Sequence, residues 1–400
     1  MARKEKTFWQ GVGKMISVLA IVAMLVTLFA QQSLALPAPP QAGDQLEWFN
    51  GSQAVYWNLN SNGTLKNRTV TDGWDWVSTQ VLASGWNLAT SHANGDQRGN
   101  DQLIWQNTVS GSSVWWKLNS NGTLKNRTQQ DGWDWISTQT LGTSWRMTHV
   151  QANANKDANN TSHLLWWNSS TQKAVYWTLN SNGSLKNRTQ TDGWDYVATQ
   201  AAGDGWYPSQ VQKNADSVNS DHIVWHSTVN GKSSYWKLNS NGTLKNRTAT
   251  DGWDWIGTWT MATTWRMASI QTNANKAAAG AGTNHIIWND SASNKAVYWT
   301  LNSNGSLKNR TQTDGWDWIA THTLDSGWSI NRLQTNADSL NNDHIIWHNS
   351  VSGKTAYWKL NSNGTLKNRT TSDGWDYIST HSLATSWRIR ALVKAQVINI

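Results

Sequence analysis

The chain has 400 residues, with 32 Trp, 29 Gly, 4 Pro and no Cys; 38% are hydrophobic and 14% are charged. So many aromatics at so little charge exclude a disordered chain, and the lack of Cys excludes a disulfide scaffold, a thiol nucleophile and a thiolate metal site. The formal charge of +8 is thinly spread, with no basic run, so there is no concentrated stripe of the kind nucleic acid requires.

Residues 2–14 carry Arg3, Lys4, Lys6 and Lys14, and residues 15–30 are continuously apolar. Ser33 and Ala35 then supply the small side chains that a signal peptidase needs for cleavage after Ala35. We therefore expect residues 1–35 to be a removed signal peptide and 36–43 a short linker, giving a secreted protein with no membrane association after cleavage. The alternative is an uncleaved anchor, for which the apolar run is short against the ~20 residues of a bilayer span.

From residue 44 the sequence repeats. The phrase W-x-L-N-S-N-G-T/S-L-K-N-R-T occurs six times, led by Trp57, Trp116, Trp177, Trp236, Trp299 and Trp358. Successive intervals are 59, 61, 59, 63 and 59 residues, and residues 173–195 and 295–317 are identical. A unit of two repeats has tripled, and residues 44–400 form one domain.

Each repeat reads as short strands. In the third, His163 to Trp167 is apolar and aromatic, and Ala174 to Leu179 alternates, with Val175, Trp177 and Leu179 on one face. Ser181-Asn182-Gly183 makes a three-residue hairpin loop if Gly183 takes positive φ, so that Leu179 faces Leu185. Lys186 to Thr189 completes a further strand. Asp192-Gly193 marks a turn before Trp194-Asp195-Tyr196-Val197, and Trp206 opens a last strand. Four-strand units in six copies predict an all-β fold: a six-bladed β-propeller, closed by pairing the C-terminal strand after Trp387 with the N-terminal repeat. The aromatic positions led by Trp48, Trp57 and Trp86 fill the space between blades.

The Trp-led strand, the Asn/Asp-rich loop and Asp221-His222-Ile223-Val224-Trp225 resemble the FG-GAP/VCBS repeat family. That family forms β-propellers and includes secreted lectins of the Psathyrella velutina lectin type. Many of its members bind calcium through a D-x-N-x-D-G loop. Here the loops read NADSVNSD (214–221) and NADSLNND (336–343), with Val218 and Leu340 where a third oxygen ligand belongs. No cofactor is expected, since calcium needs six to eight oxygens and these loops offer few.

The polar groups argue against catalysis. An enzyme needs unlike groups converging on one reacting atom, whereas the Asp pairs Asp72/Asp75, Asp131/Asp134, Asp192/Asp195, Asp251/Asp254, Asp314/Asp317 and Asp373/Asp376 are six equivalent copies. His163, His222, His285 and His344 share a position with Gln45 and Gln102, and Gln is no proton shuttle. The expectation is no enzyme.

The D-G-W-D-W/Y segment contributes two more large aromatics per blade than a blade interface readily holds. One of each pair is expected to face water, the first being the better candidate. Beside Asp and Arg, an exposed indole can stack on a sugar while its neighbours bond the hydroxyls. The candidate carbohydrate-binding residues are therefore Trp74, Asp75 and Arg68; Trp133, Asp134 and Arg127; Trp194, Asp195 and Arg188; Trp253, Asp254 and Arg247; Trp316, Asp317 and Arg310; and Trp375, Asp376 and Arg369. Six weak sites on one scaffold give avidity for a glycan-coated surface. A multivalent lectin is thus the leading reading, with glycans as partners. A protein-protein or cell-surface adhesion scaffold whose Trp residues are purely structural is the alternative.

Overall fold

The computed structural model divides the chain into two units, Met1–Ala42 and Gly43–Ile400. It describes residues 44–393 other than 67–73, 79–80, 94, 96–99, 126–132, 138–139, 156–160, 187–193, 199–200, 216–218, 246–252, 258–259, 273–283, 309–315, 320–323, 338–341, 368–374 and 380–381. The segment expected to be a signal peptide lies outside the described residues. Every strand given below belongs to the second unit. Among the described residues no helix is long and apolar enough to cross a membrane.

The strands, in chain order, are β1 (Gln45–Phe49), β2 (Ala54–Asn58) and β3 (Trp74–Trp76); β4 (Trp86–His92), β5 (Gln102–Asn107), β6 (Ser113–Lys117) and β7 (Trp133–Ser137); β8 (Trp145–Asn155), β9 (Thr161–Asn168), β10 (Lys173–Thr178) and β11 (Trp194–Tyr196). They continue as β12 (Trp206–Gln212), β13 (His222–Ser227), β14 (Ser233–Lys237) and β15 (Trp253–Trp255); β16 (Trp265–Gln271), β17 (Asn284–Asp290), β18 (Lys295–Leu301) and β19 (Trp316–Trp318); β20 (Trp328–Gln334), β21 (His344–Asn349), β22 (Thr355–Lys359) and β23 (Trp375–Ser379); and β24 (Arg388–Val393). They form four-stranded antiparallel sheets: β24-β1-β2-β3 (sheet I), β4 to β7 (II), β8 to β11 (III), β12 to β15 (IV), β16 to β19 (V) and β20 to β23 (VI). Sheet I joins the two ends of the repeat region, with Leu46 opposite Leu392 and Trp48 opposite Ile389.

The hairpin geometry follows from the leucines. Leu179 bridges Leu185, and the other five repeats make the same bridge. Gly183 has φ of +90°, and a Cβ there would come within 2.5 Å of Gln102 Nε2 in sheet II. This loop therefore requires glycine for its backbone angle and for close approach to the preceding sheet. Of the strand expected at Lys186 to Thr189 only Lys186 is described, its amide donating to Thr178 O at 2.7 Å, and Trp194–Tyr196 pairs directly with β10. The chain from Asn187 to Gly193 lies outside the described residues.

Among the described residues, adjacent sheets are tied by one backbone hydrogen bond each. The amide of Leu124 donates to Val77 O (2.8 Å), Leu185 to Ile136 O (2.8 Å), Leu244 to Val197 O (2.8 Å), Leu307 to Ile256 O (2.6 Å), Leu366 to Ile319 O (2.9 Å) and Leu65 to Ile378 O (2.8 Å). Polar side chains make a second tie at the far end of the innermost strands. Gln151 Nε2 donates to Asp221 Oδ2 (2.6 Å), Gln271 Nε2 to Asp343 Oδ2 (2.6 Å) and Gln334 Nε2 to Asp44 Oδ2 (2.7 Å). Asp221 and Asp343 also accept the amides of Asn214 and Asn336 at 2.8 and 2.7 Å. The acidic residues ending the Asn/Asp-rich loops are thus held by the protein itself.

Both faces of the two middle strands are buried because each sheet packs on two others, while the innermost strands are largely half-buried. Every sheet contains a tryptophan pair from its second and third strands: Trp48–Trp57, Trp105–Trp116, Trp166–Trp177, Trp225–Trp236, Trp288–Trp299 and Trp347–Trp358, with centroids 4.5–4.9 Å apart and planes inclined by 50–55°. These twelve rings are among the largest fully buried side chains. Edge-on contacts cross to the next sheet, as in Phe49–Trp105 (5.2 Å), Trp167–Trp225 (5.1 Å), His226–Trp288 (5.0 Å) and His348–Trp48 (5.3 Å). His163, His222, His285 and His344 stack on Tyr176, Tyr235, Tyr298 and Tyr357 at 4.4–4.6 Å.

Glu47 breaks the pattern. It is wholly buried, and neither carboxyl oxygen has a partner. Its counterparts in the other repeats are Ile104, Leu165, Val224, Ile287 and Ile346. Burial, and then the charge of Asp101, push its pKa well above the usual carboxylate range. An unsatisfied buried polar group costs about 1–3 kcal/mol. Glu47→Leu is therefore expected to raise stability by roughly 2 kcal/mol or more in urea unfolding. Because the folded state retains the proton and the unfolded chain releases it above about pH 4.5, the gain grows as pH rises. A gain that is absent, or that is constant from pH 4 to 8, contradicts this account of Glu47.

The buried histidines act in the opposite sense. Burial holds His163 down at about 3 and His92, His226, His285 and His348 at about 4. The unfolded chain binds their protons first, so stability present above pH 6.5 is lost as pH falls towards 4, at roughly 1.4 kcal/mol per pH unit for each such histidine. Urea midpoints in Glu47→Leu, measured from pH 8 to 4, are expected to fall steeply below 6.5; a flat profile there contradicts the burial of these rings as neutral groups.

Candidate functional site

The outer strand of each sheet carries the sequence-derived candidates. Trp74, Trp133, Trp194, Trp253, Trp316 and Trp375 each open that strand, opposite Trp57, Trp116, Trp177, Trp236, Trp299 and Trp358. Their side chains lie outside the described residues, as do Arg68, Arg127, Arg188, Arg247, Arg310 and Arg369. The following residue, Asp75, Asp134, Asp195, Asp254, Asp317 or Asp376, stands opposite the central aromatic of the third strand, for example Tyr235 for Asp254. Asp254 and Asp376 are half-buried, and the side chains of the other four lie outside the described residues.

Exposure falls on the second aromatic of the segment. Trp76, Trp135, Tyr196, Trp255, Trp318 and Tyr377 are 43–51% exposed. The described water-facing ring is the second of the pair; the side chain of the first, which the sequence favoured, lies outside the described residues. The physical reason is position: each lies on the outermost strand, level with the hairpin that joins the second and third strands. A sequence signal was available. This is the one of the five aromatic positions where Tyr replaces Trp, at Tyr196 and Tyr377, and a hydroxyl is tolerated where it can reach water.

The hairpin supplies a cation. Lys173 Nζ lies 5.5 Å from the Tyr196 ring, Lys232 5.3 Å from Trp255, Lys295 5.2 Å from Trp318 and Lys354 5.7 Å from Tyr377, all within cation–π range. The first two repeats have Gln53 and Ser112 at this place. The aromatic that leads the innermost strand approaches from the other side: Trp206 is 5.8 Å from Trp255, Trp265 is 6.5 Å from Trp318, and Trp387 is 6.4 Å from Trp76. Each place offers a flat aromatic face, with a second indole beside it at Trp76, Trp255 and Trp318 and an ammonium group in four repeats. The loops alternate, with Val109, Val229 and Val351 exposed on the hairpins of sheets II, IV and VI.

The register connects these rings to the centre of the assembly. Met267 stands opposite Trp288, Trp288 opposite Val297, and Val297 opposite Trp318. One row of residues therefore runs from the innermost strand to the exposed ring. Unlike the outer strands, the innermost ones differ from copy to copy, with His149, Arg332 and Arg390 each in a single sheet.

No protein-family model and no curated protein matches the sequence. Among solved structures the chain is similar to the propeller of Dos1, at 9% identity, covering 85% of this chain and 86% of that one, with a TM-score of 0.37. It is also similar to a GH43 β-1,3-galactosidase (8% identity, 80% of this chain and 99% of that one, TM-score 0.42) and to an exo-β-1,3-galactanase from Phanerochaete chrysosporium (9%, 76% and 64%, TM-score 0.39). These likenesses concern fold alone; the described residues are themselves all-β, in six four-stranded sheets like the blades of a propeller. The likenesses also correct the expectation that the protein is no enzyme. The similar structures are mostly enzymes, a post-proline cleaving enzyme from Rickettsia typhi among them. Within the chain itself the innermost strands carry unlike residues, so the equivalence of the outer strands is no argument against catalysis.

The two classes of tryptophan separate by truncation. Trp166→Ala should cost about 3–5 kcal/mol, while Trp318→Ala, at an exposed ring, should cost under ~1 kcal/mol. Equal losses in urea unfolding contradict the division into core and surface rings.

Proposed function

We propose that residues 44–400 form a six-bladed β-propeller closed by the β24–β1 pairing, and that the protein is a secreted multivalent carbohydrate-binding protein. The ring of inter-sheet hydrogen bonds, which returns from sheet VI to sheet I through Leu65 and Ile378, supports closure. The basic and apolar N-terminal segment ending at Ala35 supports export. The likeness to FG-GAP/VCBS repeats rests on the sequence motifs alone.

The observation that carries the carbohydrate reading is the recurrence of one half-exposed aromatic face, from Trp76 to Tyr377, at the same place in all six repeats. Burying a large side chain is favourable, so six equivalent exposed rings on an otherwise well-packed scaffold are best explained by a ligand. The apolar face of a pyranose stacks on such a ring and the hairpin lysine serves its hydroxyls; Asp195 and Arg188, whose side chains lie outside the described residues, are further partners on the sequence reading alone. Each site is shallow, and binding strength comes from simultaneous engagement of several. The exposed valines on alternate hairpins favour a second reading, contact with a protein surface.

A glycan array with the secreted form tests the proposal. Expected is binding to a defined set of glycans, with avidity at least 10²-fold above the affinity of the free monosaccharide. The double variant Trp255→Ala/Trp318→Ala should lose tenfold or more of the surface binding while keeping its circular dichroism spectrum. No glycan bound above background contradicts the proposal, and capture of a deglycosylated protein surface favours the second reading.

A further inference from the structure

A cavity of about 420 Å³ opens among the innermost strands β4, β16, β20 and β24, lined in part by Arg266, Arg332, Arg390, Asn289, Ser329 and Asn331. We propose that this cavity is a binding site for a small ligand bearing an oxyanion, a carboxylate, sulfate or phosphate group, held by Arg332 and Arg390. The inference stands apart from the carbohydrate reading.

Positive charge in the cavity is uncompensated. Arg332 donates through Nη2 to the carbonyl of Arg390 on the neighbouring strand and through Nη1 to Asn331 O at 2.7 Å. Arg390 Nε is buried with no partner. Among the described residues neither guanidinium pairs with a carboxylate, and the charged or titratable groups that they sense are cations or histidine: Arg390 beside Arg332, Arg388 beside Arg390, and His149 near Arg332. Arg266 adds a further positive charge at the wall, fixed by bonds to Thr263 O and Trp265 O. Burial and mutual repulsion bring Arg332 down to about 10. Both arginines are half-buried, and charges partly withdrawn from water are normally paired because the desolvation is otherwise uncompensated. An oxyanion in the cavity supplies the missing partner, and the planar guanidinium fork is suited to it.

The arginines also depart from the repeat. The place of Arg390 is taken by Ala89, Thr148, Ser209, Ala268 and Asn331 in the other sheets, and that of Arg332 by Thr90, His149, Gln210, Ser269 and Ala391. Neutral side chains satisfy this position elsewhere in the ring, so the fold does not demand arginine. The two arginines fall on adjacent innermost strands, where one ligand group can reach both.

The test uses the full chain at fixed ionic strength set with sodium chloride, with sulfate, phosphate, glucuronate and neutral glucose as probes, read by melting temperature and calorimetry. Expected is a rise in melting temperature and saturable binding with at least one oxyanion. The tighter of phosphate and glucuronate distinguishes a free anion from an acidic sugar. Arg390→Gln and, separately, Arg332→Gln should weaken that binding at least tenfold, and without probe should melt no lower than the parent because repulsion is relieved. Trp318→Ala should bind the oxyanion unchanged. The proposal is overturned if no oxyanion acts beyond chloride, if glucuronate does no more than glucose while phosphate and sulfate do nothing, or if the arginine variants respond as the parent does.

Discussion

A pair of indoles inside each sheet, pressed against the edge of an aromatic or polar residue from the sheet beside it, is the contact on which the rest of the structure depends. An isolated four-stranded sheet with two apolar faces has nowhere to bury them. Here each Trp48–Trp57-type pair fills the space between one sheet and the next. A large aromatic removes 150–250 Å² from water, worth roughly 4–6 kcal/mol per ring before entropy is counted. The core is thereby built from one repeated residue type, and the same contact recurs wherever the repeat does.

This economy leaves the two margins of each sheet free to differ in function. The outer strand is short and edge-on, so its second aromatic meets water in every copy. The innermost strands meet near one another and need only backbone pairing and one apolar anchor per row, such as Met267 or Ile330. Polar residues can vary there at little cost to folding, and the arginines have accumulated there. Because the register places Met267 level with Trp318, the central cavity and the exposed rings belong to the same end of the sheets. The described exposed rings and the arginine-lined cavity thus lie towards one end of the sheets.

Much of the fold was legible in the sequence because its signals are local. Leu179, Gly183 and Leu185 specify the hairpin loop by parity alone, and the alternation around Trp177 specifies a buried strand. The sequence placed a water-facing ring among the two aromatics of this segment; the second, Tyr196 and its equivalents, is half-exposed, while the side chain of Trp194, to which the Asp-Gly turn pointed, lies outside the described residues. Asp221 and Asp343 resembled the remains of a metal loop; their role as acceptors from the preceding sheet depends on contacts about 70 residues away in sequence. Glu47 and the arginines of the innermost strands were masked for another reason. Aligning repeats draws attention to what recurs, and a residue present in one copy reads as noise until the packing shows what surrounds it.

The central claim is that outer-strand aromatics, separate from the core indoles, are the binding surface. Oxidative footprinting of individual tryptophans, with and without a bound glycan, tests it most directly. The account predicts that Trp76, Trp135, Trp255 and Trp318 react first and are shielded by the ligand, while Trp48, Trp57 and their buried counterparts stay unmodified in both states. Shielding confined to Trp74, Trp133, Trp253 and Trp316, or equal reactivity of core and outer rings, contradicts it.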